Sequence, residues 1–313
     1  MSAPVPGIQP QPAVAPRKYA ASLHPGKPNE LPDGFVSCIH RLETALQVPV
    51  WFLIQSGGIK DYQDLDLATK SGLCSHKSAL PEGQRIALIV DSPGGDPKCA
   101  YQIARFIKRR CGGFTAVVPE FAKSAATLLL LGADKIILGE NAELGPLDAQ
   151  FFDREREEQL SALDEIQALE RLNAFALQAV EINLMFLKRR TGKTFNSLLP
   201  GVQHFVAEAL QPLFDKIDTV HYTQMSRLLK VAEEYAVRLL QPKYNLKQAT
   251  EIARHLIHEY PEHSFFIGLE DVSSCGLDDL VEEATGEVGS AMRDMVEHIQ
   301  FVTYVGKLEE LQP

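Results

Sequence analysis

Short, uninterrupted apolar runs alternate along this chain with segments in which apolar residues recur every three or four positions. Trp51-Phe52-Leu53-Ile54 and Arg85-Ile86-Ala87-Leu88-Ile89-Val90 are of the first kind, and such runs predict strands buried on both faces. The first closes at Ser56-Gly57-Gly58 and the second at Asp91-Ser92-Pro93-Gly94-Gly95, both rich in turn residues. A helix is then expected with Asp96 as N-cap and Pro97 at its first position, since both residue types are favoured there. Ile103, Phe106 and Ile107 share one face of it, and Cys111-Gly112-Gly113 ends it. Phe114-Thr115-Ala116-Val117-Val118 reads as another strand. A helix of small residues follows from about Ser124 to Leu131, then a further core strand at 136–138. Upstream, 35–46 reads as a short amphipathic helix. Strands and helices alternating at this spacing predict parallel βαβ units, an α/β fold.

The pattern changes after Gln150. Residues 153–158 are strongly charged and read as a solvated helix start. Leu160, Leu163, Ile166, Leu169, Leu172 and Phe175 then recur at helical spacing. Helix signals dominate to Tyr260, with Thr191-Gly192-Lys193 and Leu199-Pro200-Gly201 as expected breaks. The expected organisation is a flexible proline-rich leader (1–33), an α/β core (34–150), a helical extension that closes with a short core-associated segment (151–285), and a C-terminal helical tail (286–313).

Composition narrows the function classes. The net charge of −10 argues against nucleic acid as a partner, because phosphate binding needs a basic surface. Lys108-Arg109-Arg110 suits a helix C-terminus instead. The five cysteines are odd in number and scattered; they suggest no disulfide framework, no metal site and no cofactor. No apolar run reaches the roughly 18 residues that span a bilayer, and the N-terminus lacks a signal-peptide core, so no membrane anchor and a cytoplasmic location are expected. Thr191-Gly192-Lys193-Thr194 imitates the end of a phosphate-binding loop. The position that should hold the earlier glycine is Leu187, however, and nucleotide binding is set aside.

Two features carry chemistry. Gly94 and Gly95 follow a buried strand at the head of a helix, where residues without Cβ allow close backbone approach and free amides suit an oxyanion. Ser124 heads a helix of small residues, with the amide of Ala125 beside it. On the residues alone, Ser124 suits a helix cap better than a nucleophile, and Pro-Gly-Gly a simple turn.

Together, however, Ser92-Pro93-Gly94-Gly95 and Lys123-Ser124-Ala125-Ala126-Thr127-Leu128 resemble the Clp protease and signal peptide peptidase A superfamily. Within it the likeness is greatest to the serine dehydrogenase proteinase (SDH-type) family. Ala133-Asp134-Lys135-Ile136-Ile137, Glu143-Leu144-Gly145-Pro146-Leu147-Asp148, and His263 with Ile267 and Gly276-Leu277 extend the resemblance. It implies a Clp/crotonase-like core, Ser124 as nucleophile, the amides of Gly95 and Ala125 as oxyanion hole, and a polypeptide substrate bound as an added strand along Gly94-Gly95. It also implies a homo-oligomer.

The general base stays open. Where Clp proteases carry their histidine, this chain reads Leu147-Asp148-Ala149-Gln150. Signal peptide peptidases use a lysine, which makes Lys123, Lys188 and Lys193 candidates, and a lysine is expected rather than a histidine. His263 either orients the site or is a core histidine; Asp148 either pairs with the base or caps the next segment. The leading expectation is a serine peptidase acting through an acyl-enzyme on Ser124. A catalytically degenerate oligomeric scaffold, or a crotonase-type enzyme acting on coenzyme A thioesters, are the alternatives.

Overall fold

The computed structural model describes residues 17–24, 29–57, 62–148, 150–153 and 158–312. Its first half runs β1 (Tyr19–Leu23), α1 (Asp33–Leu46), β2 (Val50–Gln55), α2 (Leu67–Ser75), β3 (Ile86–Asp91), α3 (Pro97–Cys111), β4 (Phe114–Val118), β5 (Phe121–Ala122), α4 (Ala125–Leu130), β6 (Lys135–Leu138) and β7 (Glu143–Leu144). The second half adds β8 (Gln150–Asp153), β9 (Glu158–Ser161), α5 (Ala162–Thr191), α6 (Phe195–Phe214), α7 (Thr219–Leu240), α8 (Leu246–His258), a 3₁₀ turn (Leu269–Asp271), β10 (Val281–Glu283), α9 (Gly286–Ile299) and β11 (Thr303–Glu310).

The central sheet has the order β1-β11-β2-β3-β4-β6-β10. From β2 to β10 every pairing is parallel, whereas β11 and β1 add antiparallel at one edge. The fully apolar runs follow from helices covering both faces. Successive residues of a strand point to opposite faces: Trp51 and Leu53 join the core beneath α3, α4, α7 and α8, while Val50, Phe52 and Ile54 join the core beneath α1 and α9. Asp96 caps α3 by accepting from the Lys98 amide at 2.7 Å, and Gly112 ends that helix at φ 69°. The expected α/β core with a mainly helical C-terminal part is thus present.

Several elements depart from expectation, each for a physical reason. Of the expected leader, residues 1–16 lie outside the described residues, and Tyr19–Leu23 pairs with the C-terminal strand. The segment from 286 onward is a helix followed by a strand inside the sheet, not a helical tail: β11 pairs with β2 and so completes the core. Of the charged run 153–158, Asp153 and Glu158 belong to the antiparallel strands Gln150–Asp153 and Glu158–Ser161 and not to a helix start, while 154–157 lie outside the described residues. Pro200 and Gly201 do not break α6. Pro200 lies in its second turn, where a missing amide forfeits a single intrahelical bond. Gly192 does end α5, at φ 66°.

Beyond the carboxyl ends of the parallel strands, the chain forms a small second layer. It runs through the bridges Ser92↔Ala122 and Leu144↔Ile267 and the short β5–β7 pair. Ligand sites in parallel sheets collect at such strand ends.

Candidate active site

Ser124 stands between β5 and α4 with φ 50° and ψ −120°. A capping serine adopts extended backbone and accepts from a first-turn amide. Ser124 does neither, as its φ is positive and its side chain makes no capping bond. Holding a non-glycine residue there costs on the order of 1–3 kcal/mol, so the surroundings must fix it. The Ser92 amide donates to the Phe121 carbonyl (3.1 Å), the Lys123 amide to the Ser92 carbonyl (3.0 Å), and the Ala126 amide to the Lys123 carbonyl (2.8 Å). Just inside, the buried Thr127 hydroxyl reaches the carbonyls of Ala122 (2.7 Å) and Gly145 (2.9 Å) and accepts from the Gly145 amide (3.1 Å). The elbow is thereby tied to β3 on one side and to β7 on the other.

Gly94 and Gly95 lie against this elbow with φ 111° and 135°. A Cβ on Gly94 would come within 2.7 Å of the Lys123 carbonyl oxygen and 3.0 Å of the Ser124 Cβ, so only glycine permits this approach. Leu65 bridges the turn from outside: its amide donates to the Gly94 carbonyl and its carbonyl accepts from Asp96. Strand alternation leaves the Gly95 amide out of that ladder. The Ala125 amide, at the first position of α4, has no intrahelical acceptor. Gly95 and Ala125 line the same cleft as the serine.

Ser124, Gly94, Gly95 and Ala125 line a cleft of about 410 Å³, and Asp148 and His263 line it with them. Asp148 follows β7 on a loop held by the Leu147 amide donating to the Leu256 carbonyl of α8. His263 lies on the loop after α8, anchored where Leu144 and Ile267 exchange main-chain bonds at 2.9 and 3.2 Å. His263 Nδ1 is 3.9 Å from Asp148 Oδ2, and the Asp148 side chain is only 4% exposed. Burial pushes His263 below the ordinary imidazole range, and the Lys123 cation pushes the same way; the main chain of Asp148 opposes both. A neutral imidazole at neutral pH is the form that can accept a proton.

The candidate lysines lie elsewhere. Lys123 adjoins Ser124 in sequence, yet its ammonium is 2.8 Å from Glu143 Oε2. Lys188 and Lys193 are exposed near the turn between α5 and α6, with Lys188 over the Phe195 ring at 3.9 Å. None of the three lines the cleft.

Other contributors carry weaker sequence signals. Gln55 ends β2, a polar residue closing an apolar run. Its amide donates to the carbonyls of Tyr62 (2.7 Å) and Asp64 (2.8 Å), while its oxygen accepts from the Ser92 hydroxyl at 2.7 Å. That hydroxyl in turn accepts from the Gly94 amide at 3.2 Å. The opposite wall of the cleft is apolar and comes from Leu128, Leu147 and, on α7, Leu228, Val231 and Ala232. All five cysteines are free. Among the described residues, no group of three His, Cys, Asp or Glu could hold a metal ion, and no helix is long and apolar enough to cross a membrane.

Known proteins resemble this chain over part of its length. The family model of ClpP-like SDH-type serine proteinases matches residues 35–185, so the resemblance drawn from the motifs is borne out over that segment. Two uncharacterised proteins of Methanocaldococcus jannaschii are also similar. MJ0137 is 28% identical over 245 residues, covering 78% of this chain and 67% of the relative. MJ1495 is 33% identical over 118 residues, covering 37% of each.

Proposed function

We propose that this chain, whose residues 35–185 match the ClpP-like SDH-type serine proteinases, is a serine peptidase that uses Ser124 as nucleophile and His263, oriented by Asp148, as general base. The observation that carries the reading is the backbone of Ser124. Its strained geometry, with the hydroxyl released from capping, is costly in a scaffold and useful in a nucleophile.

A peptide would lie along Gly94–Gly95 as an added strand. The serine hydroxyl attacks the scissile carbonyl as its proton passes to His263. The amides of Gly95 and Ala125 receive the oxyanion. The imidazolium then protonates the leaving amine, Asp148 stabilising its charge, and water resolves the acyl-enzyme by the same route. His263 and Asp148 stand 3.9 Å apart, and catalytic hydrogen bonds generally shorten in the Michaelis complex. A histidine is favoured over a lysine because His263 lines the cleft while Lys123, Lys188 and Lys193 do not. We further infer that copies of the chain assemble through the helical half.

The test is intact-mass labelling with a fluorophosphonate. Wild type should gain one adduct and Ser124→Ala none, with His263→Ala slowing labelling by on the order of 10²-fold or more. An adduct retained in Ser124→Ala would refute the assignment.

A further inference from the structure

Lys123 precedes the nucleophile, but its side chain runs away from the cleft and into the seam between three segments. Its ammonium meets Glu143 Oε2 at 2.8 Å and reaches the carbonyls of Leu144 (3.5 Å) and Phe265 (3.4 Å). Only 16% of the side chain is exposed. The stem lies across Gly145, where a Cβ would stand 2.6 Å from Lys123 Cδ and 3.1 Å from its Cα. Glu143, Leu144 and Gly145 begin the segment that leads to Asp148, and Phe265 belongs to the loop that carries His263. One side chain therefore touches the segments bearing all three members of the triad.

We propose that Lys123 is a positioning residue, a half-buried cationic clamp that fastens the Asp148 and His263 loops to the elbow bearing Ser124 without itself taking the serine's proton. The inference rests on the peptidase reading given above. Every partner of the ammonium is an acceptor, which is the arrangement of a triple donor and not of a base with a free lone pair. The small residue at 145 has its reason here: any side chain would evict the stem.

The clamp also has an electrostatic consequence. Carboxylates from several elements line the cavities that His263 also lines. Asp148 is 3.9 Å away and Asp64 shares the cleft. Glu262 on its own loop and Asp164 on α5 line a second cavity of about 270 Å³ that also includes Asp148 and His263. Each of these favours imidazolium. The Lys123 cation opposes them and, with burial, keeps His263 able to accept a proton.

The imidazole signals of the intact chain can be followed by proton–nitrogen NMR across a pH series, with His263 assigned by its loss in His263→Gln. In Lys123→Met the midpoint should shift upward; in Lys123→Arg, which retains the charge, it should stay near wild type. Glu143→Gln, which leaves the cation uncompensated, should shift it downward. The acid limb of kcat/KM should follow these shifts, with kcat of Lys123→Met down on the order of 10²-fold, KM little changed and partial rescue by arginine. Should Lys123→Met not fold, Glu143→Gln and Lys123→Arg still decide the matter. Unmoved His263 midpoints in folded Lys123→Met or Glu143→Gln would overturn the proposal. So would loss of fluorophosphonate labelling in Lys123→Met with full labelling in His263→Gln, since lysine would then be the base. A wild type that takes no label would count against the peptidase reading, while the His263 titration would still test the clamp.

Discussion

Asp91, the last residue of β3, is fully buried immediately before the turn that carries Gly94. Burial raises its carboxyl to about 7, against the pull of the Ser56 hydroxyl at 2.5 Å and the Phe121 amide at 3.3 Å. The folded state therefore binds a proton between about pH 4 and 7 that the unfolded chain releases. Asp91's contribution to stability is complete below the ordinary carboxyl range and is lost as pH rises through about 7. Asp91→Asn stays neutral throughout, so its stability relative to wild type should improve between pH 5 and pH 8, by on the order of a few kcal/mol at most. Urea denaturation at both pH values measures this, and a constant difference would show that the carboxyl does not titrate near neutrality. Ser124, Gly94 and Gly95 stood out in the sequence because each sits in a short run of small and turn residues after a strand, and the structure brings both runs to one cleft. The pairing of His263 with Asp148 was not, because long-range contacts through α8 and the Leu144↔Ile267 bridge create it. The absence of a histidine soon after Ser124 left a lysine as the expected base, because local spacing cannot reveal that a distant loop brings His263 to the same cleft.

The elements divide along similar lines. Strands β2, β3, β4 and β6 announce themselves as continuous apolar runs, and α3 by its cap and its glycine stop. The antiparallel pair β1 and β11 does not, because both strands mix polar with apolar residues and owe their pairing to segments from opposite ends of the chain. The helical reading of α7 was correct, but its part in the site was hidden, since periodicity says which face is apolar and not what it covers. Tyr235 stacks on Tyr101 of α3 with ring centroids 4.3 Å apart, and this docking sets Leu228 and Val231 over the cleft. Both remain more than a third exposed, so shortening them removes contact with substrate and little core. The apolar wall predicts preference for a large apolar residue before the scissile bond. The double variant Leu228→Ala/Val231→Ala should lower kcat/KM for such peptides by about tenfold or more while leaving alanine-containing peptides nearly unaffected. Equal losses for both peptides would assign α7 a structural role only.

At the scale of the whole molecule, the α/β body is covered on both faces of its sheet, whereas the hairpin of α5 and α6 is not. Its own small core joins Val202, Val206 and Leu210 to Ala176, Ala179, Val180, Leu184 and Leu187. Outside that core it presents Phe175, Leu177, Ile182 and Phe186 on α5 and Phe205 on α6, each more than half exposed. Apolar area concentrated in this way marks an interface, and a hairpin that packs on a second copy of itself does so most simply about a two-fold axis. A charge placed at the centre of such a contact would be desolvated without a partner. Leu177→Glu with Phe205→Glu should therefore reduce the mass seen by size-exclusion light scattering from a multiple of the 34.6 kDa chain toward a single copy. The variant should keep its helical content, since neither side chain belongs to the hairpin core. Activity adds a separate reading: the clefts lie in each chain's own α/β body, so a monomer that still takes the fluorophosphonate would mean that assembly serves access or stability, and a monomer that does not would mean that contact between copies holds α7 over the site. A wild type that already runs as one copy at micromolar concentration would exclude the hairpin as a self-association surface.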